Sequence, residues 1–200
     1  MKQRGFTLIE LVITITVLTI LTLGVLPLVK VAVKRQKEQQ LRETLRQIRM
    51  AIDEFHRDTV NMPCTGIAGA PGQPQPQQTA TIDPRSRVVI SDCTLFGIDN
   101  PDRYPPDLDT LINGVNVIPR GSTGGAGQPG VAATEVGQVS TKQKVYLRGM
   151  PIDPITGKAE WDFRSSYDAH DSASWGGENL FDVRSKSKET ALNGEKYSDW

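Results

Sequence analysis

Glu10 is the one ionisable side chain in residues 6–29, a run that is otherwise uncharged and mostly apolar. A carboxylate near the centre of a bilayer is unfavourable by roughly 2.5–3.5 kcal/mol, less near an end, so one placed in such a run points to function. It stands one helical turn after Phe6, too shallow to relay protons across a membrane. What it can do there is pair with a cation held at the same depth. Cys64 and Cys93, the only cysteines, cannot make a four-ligand zinc site by themselves but can form one disulfide. If the residues after the apolar run are exported, the compartment is oxidising and the bridge is favoured. Closing a loop of about 30 residues would contribute roughly 3.5 kcal/mol in the chain-entropy account. Two unpaired thiols are the alternative. His170, in Asp168-Ala169-His170-Asp171-Ser172, invites an acid–base reading, but neighbours in sequence need not point together, and the stretch reads as a polar loop. His56 lies between charged residues and reads as a surface or interface residue. Residues 125–130 match GxGxxG formally; with no preceding strand, no following helix and Pro129 inside, they read as a solvent loop. Gly157-Lys158 lacks the first glycine of a phosphate-binding loop, since Ile152 stands there. No catalytic motif emerges, and the chain is expected not to be an enzyme.

The element that must position Glu10 is a helix. Residues 6–29 would rise roughly 36 Å, enough to cross a hydrocarbon core of about 30 Å. A secretory signal has a shorter apolar run and a small-residue cleavage site, and neither is present. Lys2 and Arg4 precede the run while Lys30, Lys34, Arg35 and Lys37 follow it, so charge alone leaves the orientation open. Pro27 removes the backbone bond to the carbonyl of Leu23, and Gly24 adds freedom in the same turn, which makes residues 23–27 the weakest part of the helix. Beyond Lys30 the pattern turns amphipathic. Leu41, Leu45, Ile48, Ile52 and Phe55 form a continuous stripe that suits packing on a globular domain better than a coiled-coil seam of only two heptads.

Of the chain's 31 glycines and prolines, 25 fall between residues 63 and 157, so long helices are excluded there. Residues 87–90 suit a short strand, and 104–111 a Pro-started short helix with Leu108 and Leu111 facing inward. Residues 113–141 are Gly-rich and weakly patterned. Met150–Gly157 carries turn chemistry, whereas 161–164 and 179–184 alternate apolar and polar as half-buried strands do. The expected fold class is α+β, a long N-terminal helix, its first half transmembrane, packed on a small C-terminal antiparallel sheet. The chain divides into a leader (1–5), a membrane half of the helix (6–29), an amphipathic half (30–58), a loop-rich connecting region (59–144) and a small sheet region with a C-terminal loop (145–200).

The sequence Arg4-Gly5-Phe6-Thr7-Leu8-Ile9-Glu10-Leu11 resembles the signal of type IV prepilins and type II secretion pseudopilins. The resemblance implies cleavage between Gly5 and Phe6 by a prepilin peptidase, N-methylation of Phe6, pairing of Glu10 with the terminal amine of a neighbouring subunit, and a helix-kinking role for Pro27. Tyr104-Pro105 and the segment Pro151, Asp153-Pro154, Gly157, Trp161 resemble the major pseudopilin, with residues 64–93 and 113–141 as insertions. In that family the last loop binds calcium. Here the corresponding donors are Ser187, Glu189, Asn193 and Asp199, with Glu195 nearby; hard oxygen ligands suit calcium, but the interleaved Lys186, Lys188 and Lys196 suit a plain surface loop equally well. No other cofactor is implied. The implied partners are copies of itself in a helical filament, the peptidase, an inner-membrane assembly platform and minor pseudopilins. The implied location is the inner membrane, single-pass, with a cytoplasmic N-terminus and a periplasmic head. A type IV pilus subunit and a membrane-anchored ligand-binding or adhesin module are the competing readings.

Charge sharpens this picture. The formal net charge is zero, which argues against a broadly basic nucleic-acid binder. Through Asp58 the chain carries +4, and from Thr59 onward −4. Loss of residues 1–5 would leave a side-chain balance of −2.

Overall fold

The computed structural model describes residues 5, 7–60, 62, 83–120, 141–169 and 171–200. A single helix, α1 (Leu8–Thr59), begins where Thr7 leaves helical geometry and its hydroxyl accepts the Glu10 amide at 3.3 Å, satisfying one of the unpaired donors of the first turn. Its 52 residues span roughly 78 Å. Along that length one helix occupies two environments. From Leu8 to Val33 the large apolar side chains that are described are all exposed, Leu18 by 61%. From Leu41 onward the stripe of Leu41, Leu45, Ile48, Ile52 and Phe55 is buried.

The stripe is covered by two small antiparallel sheets and a short helix. β1 (Val88–Ile90) pairs with β2 (Val115–Pro119), with Ile90 opposite Val117, and β2 pairs with β3 (Lys142–Lys144), with Val115 opposite Lys144. β4 (Trp161–Arg164) pairs with β5 (Asp182–Ser185), with Trp161 opposite Ser185. The helix α2 (Leu108–Asn113) is capped by Asp107, whose carboxylate accepts the Thr110 amide at 2.6 Å, and buries Leu108 and Leu111 on the core. Gly114 ends α2 at φ 78°, and a Cβ there would meet the Lys144 carbonyl oxygen at 2.7 Å. That is the left-handed region with no room beside it, a position that requires glycine. The architecture is α+β with a pilin-like arrangement.

Two differences from the sequence reading are informative. The connecting region, read as loop-rich, contains the whole three-stranded sheet and α2. β3 (Lys-Gln-Lys) has no apolar alternation because it is an exposed edge, where lysines discourage further pairing. Residues 179 and 180, expected to open the last strand, instead turn inward before β5, whereas exposed Phe181 still donates its amide to the Arg164 carbonyl of β4 at 2.9 Å. The Leu180 amide donates to the Pro105 carbonyl at 2.7 Å, and the buried Asn179 accepts from the Ser166 amide at 3.0 Å and donates to Asn100 at 3.3 Å. At Asn179 and Leu180 the chain serves burial of a bend, and the pairing begins only at Phe181.

Candidate functional site

The processing junction lies at the free end of α1. Gly5 is exposed, with nothing within 4 Å of where a Cβ would stand; Phe6 lies outside the described residues. Glu10 sits exposed in the first turn of α1, where its backbone amide is held by Thr7. Its carboxylate makes no hydrogen bond or ion pair among the described residues. The amide dipoles at a helix start favour a negative charge there. α1 continues through residues 23–27, and Pro27 has no N–H to give to Leu23.

The apolar half of α1 is long and apolar enough to cross a membrane, and among the described residues none of its large apolar side chains is buried. Its threonine hydroxyls are satisfied within the helix. Thr14, Thr16, Thr19 and Thr22 each donate back to a carbonyl one turn earlier, those of Leu11, Val12, Ile15 and Leu18, at 2.7–2.9 Å. Every one of these hydroxyl protons is spent inside the helix, as lipid would demand. The signal was available: threonine is the polar residue that recurs through the run.

At the other end of the chain, α1 itself grips the last eleven residues. Glu38, 9% exposed, accepts from the Leu192 amide at 2.8 Å and from the Tyr197 hydroxyl at 2.9 Å. Lys34 donates to the Thr190 carbonyl at 2.6 Å, and Arg49 to the Trp200 carbonyl at 3.0 Å. The Arg42 guanidinium lies 4.2 Å from the centre of the Trp200 ring. Burial, reinforced by the Glu38 carboxylate, pushes the Tyr197 hydroxyl up to about 12.

The residues considered for calcium are engaged with their own loop. The Ser187 hydroxyl accepts the Glu189 amide at 3.3 Å, Asn193 accepts the Glu195 amide and donates to the Glu195 carboxylate, and the Asp199 carboxylate accepts from Ser198. Among the described residues no group of three or more His, Cys, Asp or Glu could hold a metal ion. The donor set does not fit a hard dication: two donors are neutral and turned to backbone amides, Lys186 and Lys188 flank Ser187, and Lys196 stands between Glu195 and Asp199.

Cys93, in a 3-10 turn, is disulfide-bonded; Cys64 lies outside the described residues. So do His170 and residues 125–130. Asp168, beside His170 in sequence, accepts the Ser165 and Gly176 amides and holds a turn. His56 stacks on Tyr104 with ring centres 4.2 Å apart. The Met150–Gly157 turn is built around fully buried Asp153, whose carboxylate accepts the Ile155 amide at 2.7 Å and the Ser185 hydroxyl at 2.6 Å. Trp161 donates to the Pro151 carbonyl at 3.0 Å.

Comparison with curated proteins and with solved structures gives no match. Residues 1–26 match the family described as the prokaryotic N-terminal methylation motif. An exposed glycine, an unpartnered Glu10 one turn inside a bare apolar helix, and this motif agree: the chain carries the prepilin-type signal of type IV pilin-like proteins at its amino end.

Proposed function

We propose that this chain is a structural pseudopilin, stored in the inner membrane, cut between Gly5 and Phe6, methylated on Phe6 and assembled into a periplasmic filament that drives type II secretion. One observation carries the reading. Among the described residues nothing covers the apolar side chains of the membrane half of α1, while one face of the other half is buried against the head. A helix built this way needs lipid first and copies of itself afterwards. In the filament Glu10 would meet the terminal amine of a neighbour, replacing the membrane cost of its charge with an ion pair. The head is exported and the N-terminus stays cytoplasmic; the chain has no catalytic role. The secretion reading over a pilus reading is supported by the two segments that resemble the major pseudopilin. Pro105 accepts from Leu180, and Asp153 organises the turn before β4, so both are structural in this head.

Mass spectrometry of the mature N-terminus, from cells that contain a prepilin peptidase, tests the processing. The expected product begins at methylated Phe6; a product still beginning at Met1 would falsify it. Deleting the chain then separates the filament types: secretion fails and pili persist if the secretion reading holds, and the reverse result overturns it.

A further inference from the structure

Where the apolar half of α1 meets the head, a groove of about 400 Å³ is lined by Val29, Lys30, Val33, Lys34, Lys37, Ile155, Glu189 and Tyr197. Lys30, Lys34 and Lys37 follow one another at four and three residues, so they share one face of the helix over roughly 10 Å. The polar layer flanking a bilayer core is about 5–8 Å deep on each side. A span that ends near Val29 therefore sets Lys30 and Lys34 at headgroup level, and Lys37, about 12 Å beyond Val29, reaches back toward it because helical side chains lean toward the helix start. Lys34 uses one of its three donors on the Thr190 carbonyl and keeps two. Lys30 and Lys37 are exposed and make no ion pair among the described residues. Opposite them Glu189 brings one carboxylate, and Val29, Val33 and Ile155 supply apolar walls.

The arrangement also answers a conflict in topology. With the head exported, four cations follow the span on the far side against Lys2 and Arg4 on the cytoplasmic side, the reverse of the usual bias. An anionic partner on the far side of the membrane would relieve it.

We propose that this groove binds the headgroup of an anionic phospholipid while the subunit is stored in the membrane. The phosphodiester lies between Lys30, Lys34 and Lys37, the acyl chains run along Val29 and Val33 into the bilayer, and the distal hydroxyls of the headgroup donate to Glu189. Glu189 opposes a second negative charge, which selects a singly charged headgroup with hydrogen-bond donors. The proposal rests on the membrane-stored reading above.

The test reconstitutes the full chain in vesicles of four parts phosphatidylcholine to one part phosphatidylglycerol, extracts it gently, and counts retained lipid by mass spectrometry. A lysine near a membrane surface contributes enough for about a fivefold preference. Phosphatidylglycerol should therefore be enriched at least about fivefold over its share of the bilayer, and Lys30→Gln with Lys37→Gln should abolish the enrichment. Lipid retained in the bilayer's own ratio, or enrichment unchanged in the double variant, overturns the proposal. So does displacement of the lipid by an equal concentration of inorganic phosphate, which would leave only a free-anion site. Flotation of the same vesicles keeps the two readings apart. A chain that does not float with vesicles of any composition removes the membrane reading and this one with it, whereas a chain that floats without enrichment removes this one alone.

Discussion

At the scale of single residues, Glu38 is the side chain with the most consequence for the head. Truncation to alanine would leave the Leu192 amide and the Tyr197 hydroxyl without their acceptor. Removing a buried charged acceptor from two donors costs about 2–4 kcal/mol. Glu38→Ala should lower the thermal midpoint of the detergent-solubilised chain by many degrees, read by near-ultraviolet circular dichroism of Tyr197 and Trp200. We further expect millimolar calcium to leave the midpoint of the wild-type chain unchanged, since α1 side chains do the fastening; a calcium-dependent rise of several degrees would refute this. Tyr197 adds a pH signature. Its folded-state value, about 12, stands above the ordinary 10.0, so the folded state holds the proton longer than the unfolded one. The stabilisation is complete below pH 10 and disappears as the pH rises toward 12. Tyr197→Phe should flatten that alkaline decline in a denaturant titration run at several pH values; an unchanged slope counts against the assignment. None of this clamp was legible in the sequence. Glu38 and Tyr197 are 159 positions apart, and periodicity reports a residue's face, not its distant partner. Glu10 was legible because its surroundings in sequence are also its surroundings in space.

At the scale of elements, α1 divides at about residue 34, and the two halves should respond oppositely to the same substitution. Ile48 is fully buried against the sheets, and cutting it to alanine costs about 2–4 kcal/mol, transfer and cavity together. Leu18 is mostly exposed within the chain, so Leu18→Ala should change the stability of the head by no more than about 0.5 kcal/mol. Urea unfolding of both variants in detergent, followed through buried Trp161, checks the contrast; equal losses would mean that the halves unfold as one unit. The stripe from Leu41 to Phe55 was readable because helical periodicity survives wherever one face is dry and the other wet. α2 was readable from its inward leucines, although its cap is Asp107 and not the prolines before it. β3 was not readable, because an edge strand needs only backbone partners and solubility. The turn at Asp153 looked like simple loop chemistry; its buried carboxylate instead ties the strand β5 to the loop before β4.

At the scale of the whole molecule, the basic stalk and the acidic head are joined by one continuous helix, and their tasks separate along it. In the proposed processing, loss of residues 1–5 would remove Lys2 and Arg4 and create a new amine at Phe6, moving positive charge from the membrane surface to the depth where Glu10 of a neighbour would lie. Two unit charges about 4 Å apart attract by roughly 4 kcal/mol at an effective dielectric of 20. An attraction of that size is comparable to the cost of holding Glu10 in lipid, so it can set the register of subunits without contributing to the fold of any one of them. Glu10→Ala should therefore leave the thermal midpoint of the head and the cleavage at Gly5 unchanged while abolishing cross-linking between copies in assembling cells. Glu38→Ala should do the converse, weakening the head but leaving a methylated Phe6 at the mature terminus. If Glu10→Ala also lowers the head's midpoint, the two ends of α1 are coupled through the helix. Normal cross-linking in that variant would mean instead that apolar packing alone sets the register.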